Sequence, residues 1–228
     1  MLDFNQIFNC QLNATPFRWA EISDLYSSQD CASLAQTYPF DHFRTIEAYG
    51  GEKDYRYDAR SLVPMGENCI SRPDYLSPSW LRFAQDLISE NYRNAMSSLT
   101  GIDLSDFPME ANLYHYGSGA LLGPHRDLPE KKVTHVFYFN EHWLPADGGC
   151  LAILNSSDAK DVAALINPIV GNSVAFVRSE DSWHEVTQVS ARVRESRRSV
   201  TVTFYQPGSI SSMWPPGSEL ELHDYVAS

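Results

Sequence analysis

The sequence predicts a mainly β protein with a jelly-roll core and helices packed outside it. Two observations predict this class. From Pro108 onward the chain consists of short β-rich runs separated by Gly, Pro, Asn and Asp turns. Before that point lies the clearest helical periodicity, and no linker separates the two parts. We therefore expect one domain over residues 1–228, with a helical and strand support region at 1–107, the jelly-roll core at 108–208 and a C-terminal tail at 209–228.

The first elements of the support region are short. Residues 17–26 have a mixed apolar pattern that suggests a strand. Ser27 and Ser28 then offer N-caps for a helix that runs through Gln36. A second strand is expected over residues 55–63, and proline and glycine residues after it indicate a loop.

The longest predicted helix begins after the N-cap Ser79 and ends near Gly101. Its apolar residues recur at helical spacing, namely Trp80, Phe83, Ala84, Leu87, Ile88, Tyr92 and Met96. We expect this stripe to pack on a sheet.

The core is predicted to contain six strands with turns between them. Their expected ranges are 111–116, 133–140, 150–154, 173–177, 185–189 and 199–206. Regular short strands with turn residues are typical of a sandwich or a barrel, and the order of helices before strands favours a jelly roll with external helices.

Composition excludes several kinds of partner. The formal net charge of -12 makes nucleic acid and anionic membrane surfaces unfavourable, because the protein repels both. No apolar stretch approaches membrane-spanning length, and the N-terminus does not resemble a secretory signal. The four cysteines, Cys10, Cys31, Cys69 and Cys150, form no C-x-x-C pair. We therefore expect a cytoplasmic protein with free thiols.

Three residues form a candidate metal site. His125 and Asp127 are two positions apart, so in a strand they would point to the same face. His184 opens a later predicted strand. Two histidines and one carboxylate on one face leave three positions of an octahedral iron site open, which is the facial triad of iron(II) oxygenases.

A pair of arginines begins the last predicted strand. Period two places Arg198 on the same face as Val200, Val202 and Phe204, and Arg197 on the opposite face. A charge on an apolar, inward face is costly unless it has an anionic partner. We therefore expect Arg198 to bind a carboxylate of a bound 2-oxo acid through its planar fork.

The order of these residues, with the residues between them, resembles the 2-oxoglutarate/iron(II) oxygenases, in particular their prolyl-4-hydroxylase-like branch. The resemblance covers residues 114–206. It rests on Tyr116, Gly119 and Leu122, His125 and Asp127, Tyr138-Phe139-Asn140, Trp143, Gly148-Gly149-Cys150-Leu151, Pro168, Gly171 and Phe176, His184-Glu185-Val186, and Arg198 with Tyr205.

The resemblance implies a double-stranded β-helix, a cupin-like jelly roll, that uses Fe(II), 2-oxoglutarate and O2, with ascorbate as a candidate stimulant. It implies that His125, Asp127 and His184 are the iron ligands and the catalytic centre. Arg198 and Tyr138 match positions that bind the distal carboxylate of 2-oxoglutarate, and Tyr116 matches a position near the co-substrate. Asp127 argues against the halogenating branch, in which a small residue stands there.

The implied function is a dioxygenase that hydroxylates an unactivated C–H bond. We favour a small-molecule substrate, such as an amino acid or a natural-product intermediate, because the chain is short. A prolyl hydroxylase acting on a protein or peptide is the alternative, and a cupin-type metal-binding protein without oxygenase activity is the third hypothesis. Desaturation, ring formation or epimerisation by the same site stays open. Arg178 and Asp181, which flank His184, are weaker candidates for substrate contact.

Overall fold

The computed structural model describes residues 1–50, 54–215, 217 and 221–226. The helices are α1 (Phe4–Phe8), α2 (Ser28–Gln36), α3 (Pro78–Leu87) and α4 (Glu90–Thr100). The strands are β1 (Trp19–Ile22), β2 (Arg44–Ala48), β3 (Tyr55–Val63), β4 (Met109–Tyr116), β5 (Leu121–His125), β6 (Lys131–Tyr138), β7 (Leu151–Leu154), β8 (Val162–Ile166), β9 (Ser173–Val177), β10 (His184–Val186) and β11 (Arg197–Tyr205). No helix in these ranges is long and apolar enough to cross a membrane.

The strands form one antiparallel sheet that folds over on itself as a jelly roll. Their order is β1-β9-β6-β11-β4-β3-β5-β10-β7-β8, and β2 extends the sheet beside β3. The first six form a large layer, and β5, β10, β7 and β8 form a smaller layer joined to it through the β3–β5 pair. The predicted mainly β jelly roll is therefore confirmed.

Two apolar clusters lie on the two faces of the large layer. On the outer face, α3 and α4 contribute Trp80, Phe83 and Met96, and β11 contributes Val200, Val202 and Phe204. On the inner face, the second cluster joins the two layers and contains Tyr138, Leu151, Ile153, Phe176 and Val186. Alternate residues of one strand therefore belong to different cores.

The longest predicted helix is divided in two. α3 ends with the C-cap Ile88, and Ser89 begins α4 as its N-cap, since the Ser89 hydroxyl accepts a hydrogen bond from the backbone N–H of Tyr92 at 3.2 Å. The cap before α3 is Ser77 rather than the expected Ser79. The apolar stripe nevertheless continues across the break, because both helices pack on the same sheet face.

The other expected elements differ mainly at their ends. The range 55–63 and the range 173–177 coincide with β3 and β9, whereas the strand expected at 17–26 is limited to β1. The expected helix through Gln36 is α2, capped by Ser27. The elements α1, β2, β5 and β8 were not predicted from the sequence.

Candidate metal centre and co-substrate cavity

Two strands of the smaller layer bring the candidate histidines together. His125 ends β5, His184 begins β10, and the two are direct partners in the antiparallel register, with ring centroids 4.3 Å apart. Asp127 follows β5, so it reaches the site from a loop and not from a strand as expected. One potential ligand atom from each of the three residues lies within 4.8 Å of the others, and all three residues are buried.

Backbone carbonyls orient both imidazoles. His125 Nδ1 lies 2.9 Å from the carbonyl oxygen of Gly123, and His184 Nδ1 lies 3.0 Å from that of Ser182. A carbonyl oxygen only accepts, so each Nδ1 carries the proton. In the neutral ring, each Nε2 then has a lone pair for a metal, and its orientation is set by the carbonyl hydrogen bond.

The third candidate ligand is an ionised carboxylate. The Thr134 hydroxyl donates to Asp127 Oδ2 at 2.7 Å, and Lys131 Nζ lies 3.3 Å from Oδ1. Burial alone raises the pKa of Asp127, but Lys131, His184 and His125 together with the Thr134 hydrogen bond hold it well below its usual range. Because Thr134 holds one oxygen, the other oxygen is the one suited to a metal.

A cavity of about 110 Å³ extends from these three residues between the two layers. Its walls come from β3, β4, β6, β9 and β11 of the large layer and from β5, β7 and β10 of the smaller one. Polar residues of β11 that face it are Arg197, Ser199 and Thr201. An enclosed space with a few converging polar groups is the usual form of a small-molecule site.

Arg197 is the arginine that lines this cavity. It is buried, its Nε donates to the carbonyl oxygen of Gly149 at 2.7 Å, and its Nη1 donates to Ser199 Oγ at 2.8 Å. Its guanidinium carbon lies 4.9 Å from the ring centroid of Tyr116 and 5.3 Å from that of Tyr138. These contacts involve Nε and Nη1 and fix the plane of the guanidinium.

The structure thus places Arg197, and not Arg198 as expected, on the face of β11 that lines the cavity. Arg198 does share a face with Val200 and Phe204, as the period predicts, but that face packs under the helices. Arg198 Nη1 lies 3.3 Å from the carbonyl oxygen of Ala35, and its guanidinium stacks 5.3 Å from the ring of Phe40. An apolar face of a strand does not have to meet the cavity, because helices cover the other side of the sheet and both faces of β11 are buried.

Tyr116 lines the cavity, and Tyr138 lies in the inner core beside Arg197. Both are buried, and burial raises the pKa of Tyr116 to about 12 and that of Tyr138 further, while Arg197 opposes both shifts. The Tyr138 hydroxyl is buried and has no hydrogen-bond partner among the described residues. Such a group requires an acceptor or donor from a ligand or solvent.

Arg178 and Asp181 do not line the cavity. Arg178 Nε lies 3.3 Å from the backbone carbonyl of Asp127, so it supports the ligand loop from outside. Asp181 is exposed in a turn. Sequence reasoning missed Lys131 and Thr134, although their positions four and seven residues after Asp127 could have shown that the next strand returns past the carboxylate.

Comparisons with known proteins agree with this arrangement. Residues 111–205 match the model of the 2OG-Fe(II) oxygenase superfamily. A prolyl 3,4-dihydroxylase of Ostreococcus tauri is 25% identical over 210 residues, which cover 86% of this chain but 39% of that protein. The chain therefore spans about two fifths of the length of this curated relative.

Solved structures share the fold. A prolyl-4-hydroxylase of Pseudomonas putida matches with a TM-score of 0.54 and 20% identity, covering 83% of this chain and 93% of that one. A Phytophthora capsici prolyl 4-hydroxylase matches with a TM-score of 0.58 and 17% identity, covering 90% and 66% respectively. A Trichoplax adhaerens prolyl hydroxylase, solved with a peptide of hypoxia inducible factor, matches with a TM-score of 0.52 and 18% identity, covering 89% of each chain.

The fold is a jelly roll whose candidate metal centre contains two histidines and an aspartate. Over residues 111–205 the chain is similar to the 2-oxoglutarate/iron(II) oxygenase superfamily, and relatives that it resembles over most of its length include prolyl hydroxylases. The match to this superfamily, together with the three candidate ligands, points to Fe(II), 2-oxoglutarate and O2 as the metal and co-substrates.

Proposed function

We propose that this protein is an iron(II)- and 2-oxoglutarate-dependent dioxygenase that hydroxylates an unactivated C–H bond. The observation that carries the proposal is the buried triad of His125, Asp127 and His184 at one end of a cavity that also contains Arg197. Two neutral imidazoles and one carboxylate suit Fe(II). When bound, iron and 2-oxoglutarate supply the oxidising chemistry with O2; the protein supplies orientation and a water-poor cavity.

The roles of the chain's own residues follow from their contacts. His125 and His184 would bind the metal through Nε2, and Asp127 through the oxygen that Thr134 does not hold. Lys131 Nζ, 3.3 Å from Oδ1, balances the charge of Asp127 in the described arrangement. Because each carboxylate oxygen has two lone pairs, Oδ1 could bind a metal and still accept from Lys131.

The second half of the proposal assigns 2-oxoglutarate binding to Arg197 rather than to Arg198. A carboxylate beside the Nη2 donors of Arg197 would lie near the unpartnered hydroxyl of Tyr138 and would satisfy it. Ser199 holds the other side of the guanidinium. Planar, charge-assisted hydrogen bonds of this kind give both affinity and a fixed orientation.

The test is turnover of 2-oxoglutarate. With iron(II), ascorbate and 2-oxoglutarate, we expect a substrate library screened by mass spectrometry to give a product that has gained one oxygen, with succinate formed in step. Oxidation that continues at the same rate after 2-oxoglutarate has been removed would place the protein in another enzyme class. In chloride-rich buffer, a mainly chlorinated product would contradict the role of Asp127 as a ligand.

For the substrate, we keep a small molecule as the first candidate and a prolyl residue in a peptide as the second. Similarity to a prolyl 3,4-dihydroxylase favours the second. The library should therefore contain free amino acids, including proline, and proline-containing peptides. Hydroxylation of peptides with no reaction of free amino acids would decide for the second candidate. Metal binding without any 2-oxoglutarate consumption would favour a cupin-type binding protein.

A further inference from the structure

A second cavity, of about 330 Å³, lies between β3 and the C-terminal tail. Its polar walls are Arg60, Ser61, Ser71, Arg72 and His42, and its apolar walls include Trp214. In the tail, Trp214 Nε1 donates to Asn112 Oδ1 at 2.6 Å, and the preceding Met213 lines the iron cavity. The tail residues 213–214 therefore stand between the two cavities.

The two cavities are neighbours on the sheet. Thr201 lines the iron cavity and pairs with Asn112, which pairs with Ser61 of the second cavity. Adjacent strands are about 4.8 Å apart, so Thr201 and Ser61 lie about 10 Å apart. A ligand in the second cavity is thus close to the site of the proposed chemistry.

Arg60 gives this cavity an incompletely bonded guanidinium. The side chain is only 1% exposed, and its Nη1 donates to Asp41 Oδ1 at 2.6 Å. Its Nε and Nη2 are buried and have no hydrogen-bond partner in the described part of the chain. These two nitrogens form one edge of the planar group, with two parallel N–H bonds that match a carboxylate or phosphate. Both nitrogens are buried, so an anion in the cavity reaches this edge only when neighbouring side chains move.

The charges around Arg60 favour an anion. Burial lowers the pKa of Arg60, and the negative charge of Asp41 opposes that shift. The positive charge of Arg72 lowers the pKa further, so Arg72 lies close enough to interact electrostatically with Arg60. Asp41 also contacts His42, with its Oδ2 2.7 Å from Nδ1. Among the described residues, the cavity walls contain two arginines and no carboxylate, and Asp41 is the carboxylate that pairs with Arg60, in a protein whose net charge is -12. The cavity is therefore a local positive region that needs another negative group.

We propose that this cavity binds an oxyanion, a carboxylate or a phosphate group, on the Nε–Nη2 edge of Arg60. Arg72 supplies a second positive charge, and Ser61 and Ser71 supply hydroxyl donors. The oxyanion is either part of the substrate that reaches the iron cavity or a separate small anion. The proposal rests on the residues of this cavity and does not require the proposed activity.

Calorimetric titration of the full chain with inorganic phosphate at low ionic strength tests the binding. We expect one saturable site in the wild type. Arg72→Ala, at an exposed position, should weaken it at least fivefold, and Arg60→Lys, which keeps the charge but not the two-donor edge, about tenfold. Arg192→Ala, an exposed arginine outside the cavity, is the matched control and should bind as the wild type does.

The location of the site needs one more variant. Arg197→Ala should keep phosphate binding unchanged, because Arg197 belongs to the iron cavity. Absence of saturable binding in the wild type would overturn the proposal. Equal affinity of Arg72→Ala and Arg192→Ala, in variants whose melting temperatures match the wild type, would overturn it too. Neither result bears on 2-oxoglutarate turnover, so the two proposals fail independently.

Kinetics then separate the two sources of the oxyanion. If the group belongs to the substrate, Arg72→Ala should raise the KM of the substrate found by library screening and leave kcat unchanged. If KM is unchanged while phosphate binds to the wild type and not to Arg72→Ala, the ligand is a separate small anion. Both results support an oxyanion site and differ only in what carries the charge.

Discussion

The two faces of β11 carry different side chains, so one face packs in the core and the other lines the cavity. Toward the helices, Val200, Val202 and Phe204 pack into the outer core. Toward the cavity, Arg197, Ser199 and Thr201 present polar groups between the two layers. Both faces are inaccessible to solvent over most of the strand. Burial alone thus does not distinguish a packing face from a functional one; the chemistry of alternate residues does.

The same division runs through the neighbouring strand β6. Val133, His135 and Phe137 face the helices, where His135 Nδ1 lies 3.0 Å from the Tyr92 hydroxyl. Thr134 and Tyr138 face the cavity. Burial lowers the pKa of His135 to about 3, so this histidine is neutral. Its second ring nitrogen, Nε2, lies 2.8 Å from Ser173 Oγ, so both nitrogens are used within the fold.

The largest expected effect is loss of the metal. His125→Ala, Asp127→Ala and His184→Ala should each abolish 2-oxoglutarate turnover and tight iron(II) binding, because a facial triad has only three protein ligands. Anaerobic iron(II) titration and succinate formation measure the two effects. His142→Ala, an exposed histidine, is the control and should bind about one iron per chain. Any triad variant that retains wild-type iron affinity removes that residue from the ligand set.

On the helix face, the expected effect is on folding. Phe204 is fully buried and stacks on Tyr92 with ring centroids 6.1 Å apart. Phe204→Ala should lower the free energy of unfolding by about 3–5 kcal/mol. Thr201→Ala, three residues earlier on the cavity face, should lower it by less than about 1 kcal/mol. Chemical denaturation measures both; similar losses would show that the two faces contribute equally to the core.

The third prediction compares Arg197 and Arg198 by their effect on 2-oxoglutarate affinity. Arg197→Ala should weaken 2-oxoglutarate binding by at least about a hundredfold, because it removes two charge-assisted hydrogen bonds of about 1.5–3 kcal/mol each. Arg197→Lys should recover only part of this, and Arg198→Ala should change the affinity less than twofold. Titrations of 2-oxoglutarate in the presence of iron(II) measure the affinity of each variant and so rank them. A large loss in Arg198→Ala alone would restore the orientation first expected from the sequence.

The sequence supports those predictions that depend only on the identity, order and periodicity of the candidate site residues. The jelly-roll class and the candidate triad follow from residue types and spacing, and Tyr138 follows from the family resemblance. Which face of β11 meets the cavity does not follow from the sequence, since period two separates the two faces without assigning either to the cavity. The row Arg197, Ser199 and Thr201 contained the necessary information, because three polar residues alternating with apolar ones in a buried strand need a polar cavity.

The Arg60 cavity could not be predicted from the sequence either. Arg60, Arg72 and Trp214 are far apart in the chain and belong to no shared motif. They meet only because the tail returns to β2 and the loop before it, where His223 pairs with Phe43. Long-range closure of this kind leaves no local periodicity that a single sequence could show.

The smallest expected effect distinguishes two buried tyrosine hydroxyls, one on each face. The Tyr138 hydroxyl has no partner in the described residues, whereas the Tyr92 hydroxyl bonds to His135. Removing an unpartnered buried hydroxyl relieves a cost, so Tyr138→Phe should raise the free energy of unfolding by about 1 kcal/mol without 2-oxoglutarate. It should also weaken 2-oxoglutarate binding about tenfold, through loss of one hydrogen bond to a carboxylate.

Tyr92→Phe is the matched control for the same chemical change. It removes a satisfied hydrogen bond and leaves His135 Nδ1 without that partner, so it should lower the free energy of unfolding by about 1 kcal/mol and leave 2-oxoglutarate affinity unchanged. Denaturation gives the change in the free energy of unfolding of each variant, and titration gives its change in 2-oxoglutarate affinity. An expected outcome is stated for each of these four values. A destabilised Tyr138→Phe with normal 2-oxoglutarate affinity would mean that this hydroxyl supports the fold and that the co-substrate carboxylate depends on Arg197 alone.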